Sequence, residues 1–439
     1  MRSLPAKGGD RGRRQPWLLL ACVALCASAT AFAQTAPPSA AETPAASANQ
    51  VDNSFQERVD STTKQFGRNS LPAAEAYSDL ADAARRAGQH DLATQNYLTA
   101  IEIYRAVDGA FSPLAIPLLV KMGDNYREAR DGLNAVAVYS EARTVTRRVY
   151  GLLSEQQLPM IDKLSTTLLD LNRPVEAEAQ QQEALRIAGR TWPPESAEGL
   201  AAVYRYAAWL QERGLFQLAR DQYENARRII LEHYGKKDVR LVTPLLGLGN
   251  SFRAQRIPVV EGQGAIEEAL QILVAQPTRD PLAVATALRD LGDWQVAFER
   301  TGSAGTEYRR AWQLLGEVAN GDAVRREWFS GPTLVLREPI VQRGLSEDPK
   351  APSGHVLVRF DLDRNGIPGN VTIVESDPAG LLDEAVSRHI KRSRFRPQMA
   401  DGEIVSGEAL RLRLTFQYET GAEAGNDDES KEKKRSRRK

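Results

Sequence analysis

The sequence predicts an α+β chain of two unlike parts: an all-helical solenoid, then a small antiparallel sheet carrying one or two helices. Two patterns lead there, and the composition allows it. Alanines recur at a fixed interval: Ala100, Ala142, Ala184 and Ala226 lie 42 residues apart, Ala269 follows at 43 and Ala311 at 42. Residues 354–418 instead alternate apolar and polar side chains over two runs, separated by turn residues and one short amphipathic stretch. The 439 residues hold 57 basic and 57 acidic side chains, which suits two or three domains and lacks the charge excess of a nucleic-acid binder.

Residues 1–33 read as a secretory signal peptide. Arg2, Lys7, Arg11, Arg13 and Arg14 make a basic start, Trp17–Phe32 is apolar, and Ala31-Phe32-Ala33 is a cleavage site before Gln34. The rival reading is an uncleaved membrane anchor, for which the run is short of the roughly 20 residues that span a bilayer. Cys22 and Cys26 both lie inside this segment, so cleavage would leave a cysteine-free chain without disulfides or thiol chemistry. That chain would hold 52 basic and 56 acidic residues, a formal charge of about −4. Residues 34–53, rich in Pro, Ala, Ser and Thr, form a flexible lead-in.

Residues 54–320 predict six helical hairpins of about 42 residues each. Three residues before the periodic alanines stand Tyr97, Tyr139, Gln181, Tyr223, Ile266 and Tyr308. Leu80, Met122, Leu164, Tyr206 and Leu291 begin the apolar faces of the partner helices. A small residue in each repeat lets two helices cross closely beside an aromatic ring. The pattern resembles tetratricopeptide (TPR) repeats, in the long variety found in kinesin light chains. Tyr150-Gly151 and Tyr234-Gly235 end second helices in that style, and Pro72, Pro113, Pro159, Pro193, Pro244 and Pro281 mark the starts of first helices. Gly262-Gln263-Gly264 predicts a bend or loosening in repeat five.

Residues 321–352 are read as a linker, with Thr333–Leu336 either a short extra strand or extended chain. Within 353–419, Val356, Val358, Phe360 and Leu362 alternate with polar positions. Asn365-Gly366 and Pro368-Gly369 turn the chain back. Leu382, Val386 and Ile390 give a helix one apolar face. Leu410, Leu412, Leu414, Phe416 and Tyr418 form the last alternating run. Gly366, Ser376, Leu382-Asp383, Arg394-Phe395-Arg396-Pro397 and Gly402 stand where the TonB C-terminal domain has its landmarks, and residues 353–419 resemble that periplasmic module. The resemblance implies a structural role for Gly366, Ser376, Leu382, Asp383, Phe395, Pro397 and Gly402. It also implies an exposed last strand, with Arg411, Leu412, Arg413, Leu414 and Thr415 pairing a short segment of an outer-membrane transporter. Such modules also exchange strands between copies, so the resemblance admits a homodimer. Residues 420–439 form a charged tail, acidic at Asp427-Asp428-Glu429 and then basic.

No reaction chemistry is expected, and neither metal nor cofactor. His90, His233, His355 and His389 lack metal-ligand spacing, and no phosphate loop, dinucleotide pattern or nucleophile elbow occurs. Asp361–Gly366 starts like a calcium loop, but Thr372 stands where that loop needs a glutamate, so it reads as a hairpin. Arg388, Lys391, Arg392, Arg394 and Arg396 are either a solvated group at a helix C-terminus or a patch for an acidic peptide or peptidoglycan. The chain departs from energy-transducing TonB in having no recognisable membrane helix, proline-rich spacer or opening Tyr-Pro. Three readings follow. The chain is a periplasmic adaptor binding outer-membrane transporters or envelope proteins, a transducer with an uncleaved inner-membrane anchor, or an envelope scaffold.

Overall fold

In the computed structural model, residues 53–298, 301–340, 342, 344–346 and 351–419 are described. The expected signal peptide, most of the lead-in and the charged tail lie outside these residues. Helix α1 (Asn53–Phe66) precedes six antiparallel hairpins. These are α2 (Leu71–Arg86) with α3 (His90–Asp108), α4 (Ala115–Glu128) with α5 (Gly132–Tyr150), and α6 (Leu158–Asp170) with α7 (Pro174–Thr191). There follow α8 (Ala197–Glu212) with α9 (Phe216–Tyr234), α10 (Val242–Ala254) with α11 (Val260–Val274), and α12 (Pro281–Ala297) with α13 (Thr301–Leu315). This is the TPR-like solenoid that the repeat predicts. Ser70, Asp131, Ser196 and Asp280 cap first turns by accepting backbone N–H bonds. Gly151 and Gly235 follow α5 and α9 with φ of 103° and 84°, a conformation that residues with a Cβ rarely adopt.

The periodic residues form the joints between helices. Ala100, Ala142, Ala226, Ala269 and Ala311 are fully buried, as are Tyr97, Tyr139 and Tyr308. Ala184 is only partly covered, in the repeat where Gln181 replaces the aromatic. Beneath two of the rings the partner helix carries glycine: a Cβ at Gly123 would lie 2.4 Å from the Tyr139 ring, and one at Gly292 would lie 2.6 Å from Tyr308. Repeat five differs from expectation. Helix α11 runs unbroken through Gly262, where a Cβ would meet the Trp294 ring at 2.3 Å. The glycine serves close packing, and the departure from the pattern is a shorter helix, 15 residues against 19 in α9.

Helix α14 (Gly321–Phe329) and strand β1 (Leu334–Leu336) occupy the segment read as a linker. The C-terminal part contains β2 (Ser353–Leu362), β3 (Pro368–Asp377), α15 (Asp383–Arg392), β4 (Arg394–Phe395), β5 (Gln398–Ala400), β6 (Glu403–Val405) and β7 (Gly407–Gln417). Strands β3-β2-β7 form one antiparallel sheet, β1 pairs with β4, and β5 with β6. Val356, Val358, Phe360, Leu412, Leu414 and Phe416 face α15 through Leu382, Val386 and Ile390, closing one core. A second core joins α12, α13 and α14 to β1 and β5, with Trp328, Phe329, Leu336 and Met399 in contact with Tyr308 and Leu315.

Candidate functional site

Strand β7 is one border of the three-stranded sheet. Its register on β2 places Phe416 opposite Gly354, Leu414 opposite Val356 and Leu412 opposite Val358. Tyr418 N–H donates to Pro352 O at 3.0 Å, which fixes the phase of the ladder. Even-numbered residues therefore direct their backbone groups at β2, and Arg411, Arg413 and Thr415 direct theirs away. The same phase is seen from the other side. Gln417 O accepts from Ser346 N–H at 2.9 Å, and Glu419 N–H donates to Gly344 O at 2.9 Å. The chain's own segment 344–346 thus covers the end of this border. Among the described residues nothing meets the outward N–H and C=O groups of Arg411, Arg413 and Thr415. Leu412 and Leu414 are buried beneath and pin the strand, while Arg411, Arg413 and Thr415 are exposed. The opposite border, β3, has two register shifts in its pairing with β2, whereas β7 has one, at Phe360/Leu362 before the Arg411–Thr415 stretch, so β7 is the more regular template.

The expected structural residues come together around this sheet. Gly366 has φ of 74°, and a Cβ there would lie 1.8 Å from Phe395 O; its own carbonyl accepts Phe395 N–H at 3.0 Å. Phe395 packs on Phe360 with ring centroids 5.0 Å apart, and Pro397 is buried beside them. Ser376 Oγ donates to the Asp383 carboxylate at 2.5 Å, tying β3 to the start of α15, where Leu382 is buried. Asp401 and Gly402, with φ of 50° and 84°, form the tight β5–β6 turn, which lies against Trp312 of α13. The Asp361–Gly366 stretch is a hairpin turn in which Asp363 accepts Asn365 and Ile367 N–H, each at 2.8 Å.

Sequence reasoning missed how the sheet is anchored. Arg396 is buried, and its Nε and Nη2 donate to Asp293 of α12 at 2.8 Å each, while Nη1 donates to Trp328 O at 2.9 Å. Tyr308 O–H donates to the same carboxylate at 2.9 Å. Burial alone would raise the Asp293 carboxyl and lower the Arg396 guanidinium. Their contact reverses both, bringing Arg396 above its ordinary value and, with Arg253 and Arg289 adding to the pull, Asp293 down to about 2. The same motif recurs within the solenoid. Tyr97 donates to Asp82, which also receives Lys121 at 2.6 Å. Tyr139 donates to Asp124, which receives Lys163 at 2.6 Å. In both, the cation comes from the first helix of the following repeat. No seventh repeat follows Asp293, and Arg396 of the C-terminal part takes the place of that lysine. A signal existed, an aspartate 15 residues before the tyrosine in repeats one, two and six, but the cation in repeat six is 103 residues from its partner.

Residues 350–418 match the family model described as the Gram-negative bacterial TonB protein C-terminal. The segment is a TonB-type C-terminal domain. Its docking on α12 through Arg396 therefore joins a TonB-type domain to a TPR-like array. Among solved structures, the chain is similar to the kinesin-light-chain-type TPR-like repeats of Podosopora anserina, at 16% identity over 48% of this chain and 99% of that one, with a TM-score of 0.37. It is also similar to BtubC (BKLC) from P. vanneervenii, at 16% identity over 67% and 98%, with a TM-score of 0.32. A third is the C-terminal part of a TPR repeat-containing protein from Cytophaga hutchinsonii, at 12% identity over 61% and 91%, with a TM-score of 0.37. Comparison with curated proteins gave no match. The basic group near the TonB-type domain's helix divides in two: Arg388 pairs with Glu384 and Arg392 with Glu338 near the surface, whereas Arg396 is turned into the domain contact. No helix among the described residues is long and apolar enough to cross a membrane.

Proposed function

We propose that this chain is a periplasmic protein-interaction protein of the bacterial envelope, acting without reaction chemistry. It pairs an extended segment of an outer-membrane transporter or another envelope protein with β7, and holds further partners along the helical array. One observation carries the reading: the outward backbone groups of Arg411, Arg413 and Thr415 lack partners among the described residues, on a strand whose other face is fixed in a core. Unpaired strand groups of this kind take up an added strand, with main-chain hydrogen bonds supplying affinity and alternate side chains supplying choice. The TonB-type match over the same residues supports it. Hydrogen exchange tests it on the chain bound to solubilised outer-membrane protein. The amides of Arg411, Arg413 and Thr415 gain protection on binding; if a partner is retained and these amides exchange unchanged, β7 is not where it binds.

A further inference from the structure

Three arginines share the sheet face that α15 leaves open. Arg359 on β2 stands directly opposite Arg411 on β7, and Arg413 lies two residues further along the same face. All three are exposed, and no ion pair joins any of them to an acid among the described residues. Like charges directly across a strand pair oppose the pairing, so this arrangement works against the sheet that holds it. Asp361 on that face attracts Arg359, but only as the smallest influence on the Asp361 carboxyl, and forms no ion pair with it. Asp361 is engaged by the Asn370 side-chain amide and by Ala409 N–H, each at 2.7 Å. At the other end of the face, Glu375 is taken by His355 at 2.8 Å.

This charge sits beside the unpaired stretch of β7. Side chains two apart on a strand project from the same face, roughly 6.5–7 Å from one another. A strand laid along Arg411–Thr415 sets its own alternate side chains beside the arginines, at a lateral spacing of about 4.7–5.5 Å. We propose that the segment taken up by β7 is acidic, an extended peptide of a partner protein with Asp or Glu at two alternate positions facing Arg411 and Arg413. The proposal rests on the strand-pairing reading and names the class of sequence that the border selects. Neutralising an opposed arginine pair makes the added strand favourable in a way that a neutral strand cannot match.

The test uses residues 34–439, which contain every described residue, and fluorescence anisotropy with labelled nine-residue Thr/Val peptides. One peptide carries glutamates at two alternate central positions, a second has glutamines there, and a third lysines. The glutamate peptide binds at least tenfold tighter than the glutamine peptide, the lysine peptide binds weakest, and R411Q/R413Q removes the difference. Added salt shrinks the glutamate advantage as well. Equal binding of glutamate and glutamine peptides, both abolished by Arg413→Pro, overturns the acidic preference and leaves strand pairing standing. No binding of any peptide overturns both, and a gain of neutral-peptide binding or self-association in R411T/R413T identifies the arginines as guards of the border instead. If removal of residues 420–439 raises glutamate-peptide affinity tenfold or more, the occupant is the chain's own acidic run and the partner-segment proposal falls.

Discussion

Asp293 is a carboxylate kept charged where burial opposes it, and that makes it the most consequential single side chain in the molecule. Removing one member of a buried, hydrogen-bonded ion pair leaves the other charged and unpartnered, at a cost of about 3–5 kcal/mol. Asp293→Asn is therefore expected to destabilise the region around α12, α13 and the sheet by that amount in urea unfolding. Asp293→Leu combined with Arg396→Met is expected to cost less than either single change, because no charge is left stranded. The pH dependence has a definite sign. The folded value of Asp293 is about 2, below its ordinary value of 3.8, so its contribution is complete above about pH 4 and lost as pH falls towards 2. Over that window the wild type loses more stability than Asp293→Asn; equal losses would show that the pair is not ionised as the geometry implies. Gly366 is the backbone counterpart. Its positive φ and the nearness of Phe395 O leave no room for a methyl, so Gly366→Ala is expected to cost about 3 kcal/mol or more, read in the same unfolding measurement.

Among the elements, β7 has two sides that proline separates. The N–H of Arg413 points away from β2, so Arg413→Pro removes a donor for an added strand and leaves the β2 ladder intact. The N–H of Leu414 points at Val356 and its side chain is buried, so Leu414→Pro breaks the sheet itself. Circular dichroism and thermal melting are expected to stay close to wild type in the first variant, with strand-peptide binding lost, and to show an unfolded sheet in the second. The alternation of Leu410–Tyr418 made this strand and its buried face legible in sequence, because side-chain period depends only on local geometry. How much of its border is uncovered was not legible: segment 344–346 pairs with residues 417–419, far along the chain, and no local pattern specifies that pairing. The solenoid was legible for the same reason as the strand, since each helix repeats its own neighbour's packing. Repeat five was misjudged because Gly262 looks like a helix breaker until Trp294, more than 30 positions on, is seen to occupy the space.

At the scale of the whole molecule, the TonB-type domain closes the solenoid. Each inner repeat leaves an apolar face and, in repeats one and two, a tyrosine-bound aspartate that the next repeat's lysine completes. A terminal repeat has no such neighbour and needs a cap. Here Arg396 completes Asp293, Met399 and Leu336 cover the faces of α12 and α13, and Arg253 donates to Val335 O at 2.8 Å. Helix α14 and strand β1, in the segment read as a linker, are accordingly part of the cap, since they bury Trp328, Phe329 and Leu336 in the shared core. A border strand held this way is fixed relative to the helical array, so under the proposed function partners on the two surfaces would be held in one geometry. Ending the chain at residue 320 removes that cap and leaves Asp293 without Arg396. Because each repeat touches only its neighbours, the loss is expected to be local: amides in α12 and α13 lose hydrogen-exchange protection by at least two orders of magnitude, while those in α2–α5 keep theirs. Protection unchanged in α12 and α13 would mean that repeat six closes itself and that the domain merely rests on it. Uniform loss along the array would mean that the solenoid folds as one unit, with its stability set at this end.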